Sequence, residues 1–387
     1  MKFLHTADLH LGRVFHDRSL IEDQALVLEG LLDQLAQDDY AALLICGDLY
    51  DRAIPSSEAV NLFSSFLGRA RSRFPDLAIF IISGNHDSAD RLAFASSLFT
   101  ELGIHIQTEA EKAFEPILIQ KNGESCAFFL LPFLSAGCLG GTGEEPLRGQ
   151  AELALEAATR LELARQKAVS EGATATVLLA HLFTLGGTES ESERSFLGTA
   201  ERVDAKLFSG FDYVALGHLH RAQKASGNMW YSGSPLAYSF DEAGQEKAFL
   251  AIELGEGSET RVEKLPIQAL RPLRCLSGTF ASFLEEGAYT EEKKCYVQIS
   301  LSDPELVLNP LSLLKTHFPF LLSITQEEAL SSIAERSSSK LLRPELSGKR
   351  GAVEDFSLFL EDLYGSADAE EIELFRKLAG ELEHETT

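Results

Sequence analysis

Five short polar motifs, each set directly after a run of apolar residues, constrain the fold of this chain more than any other feature. In order they are Asp8-Leu9-His10, Gly47-Asp48 followed by Asp51, Gly84-Asn85-His86-Asp87, a lone His181, and Gly217-His218-Leu219-His220. The runs before them, residues 2–6, 42–46, 77–82, 176–180 and 213–216, read as buried strands by length and by Val, Ile and Leu content. In a layered α/β fold the strand ends converge on one crevice. Five such ends would deliver carboxylates, imidazoles and one amide to a single place.

Amphipathic stretches lie between the strands. Residues 20–35 carry an apolar helical face broken only at Gln24, and residues 56–73 start at candidate caps Ser56 and Ser57 after Pro55. On that second helix Val60, Phe63, Phe66 and Leu67 share a side. Residues 152–169 predict a third helix, its exposed face carrying Glu152, Glu156, Arg160 and Lys167. Strands alternating with helices imply an α/β layered core, central mixed sheets flanked by helices. After Gly217 the pattern turns to hairpins, with strands expected at 229–232 and 247–254. Near residue 271 the character shifts again. A strand at 295–301, a helix at 306–317 and a strand at 320–325 predict a small βαβ-type module. A polar stretch, 331–340, then leads to an acidic, amphipathic end. The expected divisions are 1–270, 271–345 and a helical tail over 346–387.

The motif residues suit borderline divalent metals, being imidazole and carboxylate without thiolate. In Asp8-x-His10 and His218-x-His220 the intervening residue is Leu. Along an extended segment both polar side chains therefore point one way and Leu the other. Asp48, from a central strand, is placed to be shared by two ions. Such a pair, about 3.5–4 Å apart, would hold the attacking and leaving oxygens of an in-line phosphoryl displacement. Each motif alone has a structural explanation: a chance D-x-H, an Asn-rich turn, a solvated hairpin corner, a satisfied core histidine. Their order, each after an apolar strand, favours one metal site over five coincidences. His5, whose parity along the first strand differs from that of Asp8, reads as structural.

Composition sets limits. The 387 residues suggest two or three domains, and 45% apolar residues are enough for a substantial core. No apolar run approaches the roughly 20 residues of a membrane helix. The first polar motif also follows the N-terminus too closely for a signal peptide. Five scattered cysteines without a CxxC pair read as reduced thiols of a cytoplasmic protein. The net charge of −25 argues against a chain that grips nucleic acid by itself, since phosphate neutralisation supplies much of that affinity.

The ordered set D-x-H, GD, GNHD, H and GHxH resembles the calcineurin-like metallophosphoesterases over roughly the first 255 residues. Residues 3–12 (FLHTADLHLG), 47–51 (GDLYD) with Pro55-Ser56, 84–88 (GNHDS), 231–235 (YSGSP) and 239–242 (SFDE) are similar to the SbcD-type nuclease branch. That resemblance implies a metallophosphoesterase sandwich and a Mn²⁺-dependent exonuclease/endonuclease on DNA ends and hairpins. It also implies a homodimer that works in a heterotetramer with an SMC-like ATPase of the SbcC type, in the cytoplasm at the nucleoid. Carried onto this chain, one metal would be held by Asp8, His10, Asp48 and His220, the other by Asp48, Asn85, His181 and His218. His86 would protonate the leaving oxygen or steady its charge, and Asp87 would orient His86 or the neighbouring loop. Some distant relatives carry a histidine where this chain has Asp51-Arg52. A hydrogen bond from Asp51 to a ligating histidine and a helix-capping role both stand open. Arg13, Arg18, Arg52 and Arg91 are candidates for DNA contact. The module at 271–345 resembles a capping domain. Phe356, Phe359, Leu363 and Phe375 are candidates for docking on the ATPase, and Phe63, Phe66, Phe94 and Phe99 for either the dimer face or the core. Two other readings are a phosphoesterase for a small phosphodiester or phosphomonoester, and a non-catalytic DNA-end tether.

Overall fold

The computed structural model describes residues 1–140, 147–184, 188, 190, 202–255, 260–285, 287–326, 353, 356–357, 360, 369 and 371–377. By packing, the chain divides into Met1–Gln326 and Glu327–Thr387.

In the first unit two six-stranded sheets lie face to face. One runs in the order Thr260–Pro266, Ala248–Leu254, Lys2–Thr6, Ala42–Cys46, Ala78–Ile82, Ile104–Gln107, and its last four strands are parallel. The other runs Gln223–Ser226, Met229–Tyr231, Tyr213–Gly217, Ala175–His181, Glu124–Leu131, Ile117–Lys121, with a parallel centre and antiparallel edges. Central strands such as Ala42–Cys46 and Ala78–Ile82 are buried along their whole length, which explains their unbroken apolar composition. Their inward residues Phe3, Leu44, Cys46, Phe80 and Ile82 meet Phe128, Leu130, Leu179 and Tyr213 of the second sheet. Phe80 stacks on Phe128 with ring centroids 4.6 Å apart. The outward faces are covered by helices Ile21–Leu35 and Ser57–Arg73 on one side and Gln150–Ser170 on the other. The result is an α/β sandwich of two mixed sheets between helical layers.

The strand Glu124–Leu131, which sequence patterning registered only as an apolar run, is central to the second sheet. Ile104–Gln107, Ile117–Lys121 and Thr260–Pro266 went unread as strands because each lies at a sheet edge and is only partly buried. On the second helix the buried row is Ala59, Phe63, Phe66, Leu67 and Ala70, while Val60 is 42% exposed. The expectation for Val60 is thus corrected: it lies one residue off the i, i+4, i+7, i+8 stripe. Phe63 and Phe66 belong to the core and present no dimer face; Phe99 packs against the same core, and Phe94 is 81% exposed.

A third sheet within this unit has three parallel strands, Leu273–Gly278, Tyr296–Leu301 and Leu321–Thr325. The βαβ pattern is present, but the helix expected over 306–317 is confined to Pro310–Leu314. Asn309 sits in the left-handed region (φ 50°) and Pro310 opens the helix, so the residues before it cannot join the same turn. Arg271 bonds Glu22 and Asp23 at 3.1 Å, Tyr296 donates to Asp23 at 2.9 Å, and Arg18 donates to the Pro319 carbonyl at 2.8 Å. In the second unit the rings of Phe356 and Phe375 stack 4.1 Å apart. Phe359, Leu363 and the stretch 331–340 lie outside the described residues. Among the described residues no helix is long and apolar enough to cross a membrane.

Candidate metal centre

All five motifs leave their strands at the same edge of the sandwich. Asp8, Asp48 and Asn85-His86 follow three adjacent parallel strands of the first sheet, and His181 and His218 end two adjacent strands of the second. Asp8, His10, Asp48 and His218 all have positive φ (53°, 43°, 49° and 104°). Such angles are costly for residues other than glycine and concentrate where a site over-determines the backbone. Gly217 is required by close approach, because a Cβ there would overlap the Cys46 carbonyl of the neighbouring sheet. The two sheets therefore meet main chain to main chain at the site.

Two groups of ligand atoms result. Asn85 Oδ1 lies 2.9 Å from His181 Nε2 and 3.1 Å from His218 Nδ1, and those nitrogens are 3.3 Å apart. His10 Nε2 lies 3.2 Å from His220 Nε2, and Asp8 joins these two histidines within one metal-sized cluster. Asp48 Oδ2 stands between the groups, 3.5 Å from His181 Nε2 and 3.8 Å from His10 Nε2. Ligand atoms about 3.0–3.4 Å apart are what a metal with bonds of about 2.1 Å imposes at octahedral to tetrahedral angles.

The chemistry of the donor set fits a divalent cation. His181 donates its Nδ1–H to the Cys46 carbonyl at 2.9 Å, so a neutral ring turns a lone pair toward the oxygen of Asn85. Two acceptors at this distance repel each other unless positive charge lies with them. Burial opposes charge on His181, yet Asp48, Asp8 and the Cys46 carbonyl outweigh it and push its pKa up to about 9. Burial pushes Asp8 up to about 7, assisted by Asp48 and opposed by His181 and His220. Burial also works against ionised Asp48, but His181, His10 and His86 hold it well below the usual carboxylate range. A buried pair of carboxylates thus draws a proton where no metal is present.

The surrounding residues have definable tasks. His86 donates a backbone N–H to Asp48 Oδ1 and its Nδ1–H to the Asp51 carbonyl, each at 2.9 Å. Asp87 does not reach the His86 ring in this arrangement. Its carboxylate accepts from the backbone N–H groups of Leu49, Tyr50 and Gly84, tying the second and third motif loops together. Asp51 faces His10 Nδ1 at 3.8 Å and pairs with Arg13 at 2.8 Å; the helix cap is Ser56, which accepts from the Ala59 N–H. Arg13 is therefore engaged beside the site, Arg18 is bonded to the third sheet, Arg52 is exposed at 3.6 Å from Asp51, and Arg91 is exposed.

Sequence reading assigned no role to several supporting residues. Gln24, the polar break on the first helix, donates to the His10 carbonyl at 2.7 Å and accepts from Gly12 N–H at 2.9 Å. Tyr238 donates to the Leu9 carbonyl and packs its ring edge-on to His10 and His220. Glu242 and Lys247 form a buried pair beneath His220. The polar break on an apolar helical stripe could have found Gln24, and the 239–242 wording already contained Glu242 without giving it a role.

The family model described as calcineurin-like phosphoesterase matches residues 1–222, more than half of the chain. The chain belongs to the calcineurin-like phosphoesterase family, metal-dependent phosphoester hydrolases whose members bind two divalent ions. Similar solved structures include a calcineurin-like phosphoesterase, YfkN, from Bacillus subtilis, at 14% identity over 68% of this chain and 88% of that one, with a TM-score of 0.37. A dimetal phosphatase from Danio rerio matches at 12% identity over 70% of this chain and 99% of the other, with a TM-score of 0.42.

Proposed function

We propose that this protein is a two-metal DNA nuclease of the SbcD type, cutting phosphodiester bonds at DNA ends and hairpins with an SMC-like ATPase partner. The observation that carries the reading is the convergence of six candidate ligand side chains around a seventh, Asp48, with His86 beside them, set in motif wording similar to that branch. Asp8, His10, Asp48 and His220 would hold one ion, and Asp48, Asn85, His181 and His218 the other. The ions, proposed to be Mn²⁺, supply Lewis acidity and positive charge at the scissile phosphate when bound. His86, its Nδ1–H donated to the main chain and its Nε2 3.9 Å from Asp48 Oδ2 at the edge of the cluster, would exchange a proton with the leaving oxygen. The three-stranded module from Leu273 supports a polymeric substrate, which a small phosphoester would not need. Phe94, Leu98 and Leu102, exposed just after the third motif, support a homodimer face. The paired Phe356 and Phe375 rings and exposed Leu374 support an apolar docking face on the acidic tail.

The test is digestion of a labelled linear duplex with Mn²⁺ by the wild type, Asp48→Ala and His86→Ala. Wild-type cutting is expected, with both variants inactive and only Asp48→Ala losing metal. The loss at His86 should be on the order of 10²–10⁴ in rate. If no duplex is cut even with the ATPase and ATP present while a small phosphodiester is hydrolysed, the nuclease reading falls and the small-substrate reading replaces it.

A further inference from the structure

The histidines at the site are steadied in different ways. His181 and His86 turn Nδ1 toward main-chain carbonyls, whereas His220 turns Nδ1 toward a carboxylate, Glu242 Oε1, at 3.3 Å. Glu242 is fully buried and heavily held. Lys247 donates to its Oε2 at 2.5 Å, and Ser239 donates to Oε1 at 2.9 Å. Lys247 also donates to the backbone carbonyl of His220 at 2.8 Å and to Ser234 Oγ at 3.0 Å. One buried ion pair therefore grips both the ring and the main chain of a single histidine.

A buried ion pair is a poor device for stability alone, since removing two charges from water costs about what their attraction returns. It is a good device for setting a histidine. A carboxylate facing Nδ1 fixes the proton there, leaves the Nε2 lone pair toward the metal cluster, and raises the basicity of the ring. We propose that Glu242, held by Lys247, is a positioning residue that presets the His220 tautomer and strengthens the metal position made with Asp8 and His10. The inference rests on the two-metal reading of the site. It predicts unequal sites, because the position at Asn85, His181 and His218 has no contact with this pair.

Two measurements test it. In the full-length protein, metal-free and Zn²⁺-loaded, long-range ¹H–¹⁵N spectra should show His220 as the Nδ1–H tautomer in both forms. An Nε2–H tautomer in the metal-free chain overturns the proposal. The double variant Glu242→Met with Lys247→Met removes both charges at near-constant volume, and its melting curve is recorded to establish that it folds. Mn²⁺ titration by calorimetry should then show one of two sites weakened about 10–100-fold and the other unchanged. If the folded double variant binds both ions as the wild type does, the pair is structural and the proposal fails. If the wild type binds no ions, it is the two-metal reading that fails instead.

Discussion

His5 shows how one residue three positions from a candidate ligand can have an unrelated task. It lies on the inward face of the first strand, fully buried, with Nδ1 3.0 Å from the Tyr213 hydroxyl of the opposite sheet. Burial pulls its pKa down from 6.5 to about 3. Between those values the unfolded chain takes up a proton that the folded chain refuses, so stability falls as pH drops. From this group alone the slope is about 1.4 kcal/mol per pH unit below about pH 6.5, ending near pH 3. Urea unfolding between pH 7 and 5 should show a flatter slope for His5→Leu paired with Tyr213→Phe than for the wild type. Parallel slopes would mean that His5 accepts the proton in the fold. At this same scale the motif residues were legible in the sequence, because each motif begins one or two residues after an apolar run. Glu242 stood within the 239–242 wording, but its pairing with Lys247 beneath His220 was not legible, because a buried ion pair is recognisable only from what it packs against.

Among elements, the second helix is the clearest case of local rules and packing agreeing. Ser56 caps it, Glu58 lies in its first turn and Arg71 and Arg73 in its last, complementing the helix dipole. Its buried row, from Ala59 to Ala70, includes Phe63 stacked on Phe66, 5.9 Å apart. Ser56→Ala should cost about 1 kcal/mol and Phe63→Ala about 3–5 kcal/mol in denaturant unfolding, a ratio set by one lost cap against one large cavity. A smaller loss at Phe63 than at Ser56 would place the ring on a surface rather than in the core. The limits of the three long helices came within a residue or two because periodicity and caps are local, whereas the helix expected over 306–317 shrank to Pro310–Leu314. The partly buried edge strands escaped because their neighbour on one side is solvent, which dilutes the apolar pattern that marks a central strand.

Across the first unit, the third sheet joins the sandwich through Leu273, Tyr296 and Leu322, which share its buried core, and through polar contacts of Arg271 with Glu22 and Asp23, Tyr296 with Asp23, and Arg18 with the Pro319 carbonyl. Glu22 is largely exposed and contributes little, so what Arg271→Ala chiefly removes is the bond to buried Asp23. The expected result is faster amide exchange in Leu273–Gly278, Tyr296–Leu301 and Leu321–Thr325, with Mn²⁺ binding unchanged. Exchange that stays at wild-type rates would show that apolar contact alone holds the module. The sequence by itself determined the candidate metal-binding motifs, the strands that carry them and the main helices, since these follow from periods and spacings of a few residues. Only tertiary structure decided that His10 meets His220 across 210 positions and His5 meets Tyr213 across 208. It also decided that a lysine and a glutamate close beneath one histidine. Contacts between distant segments depend on how two sheets pack, and that packing leaves no local pattern in the chain.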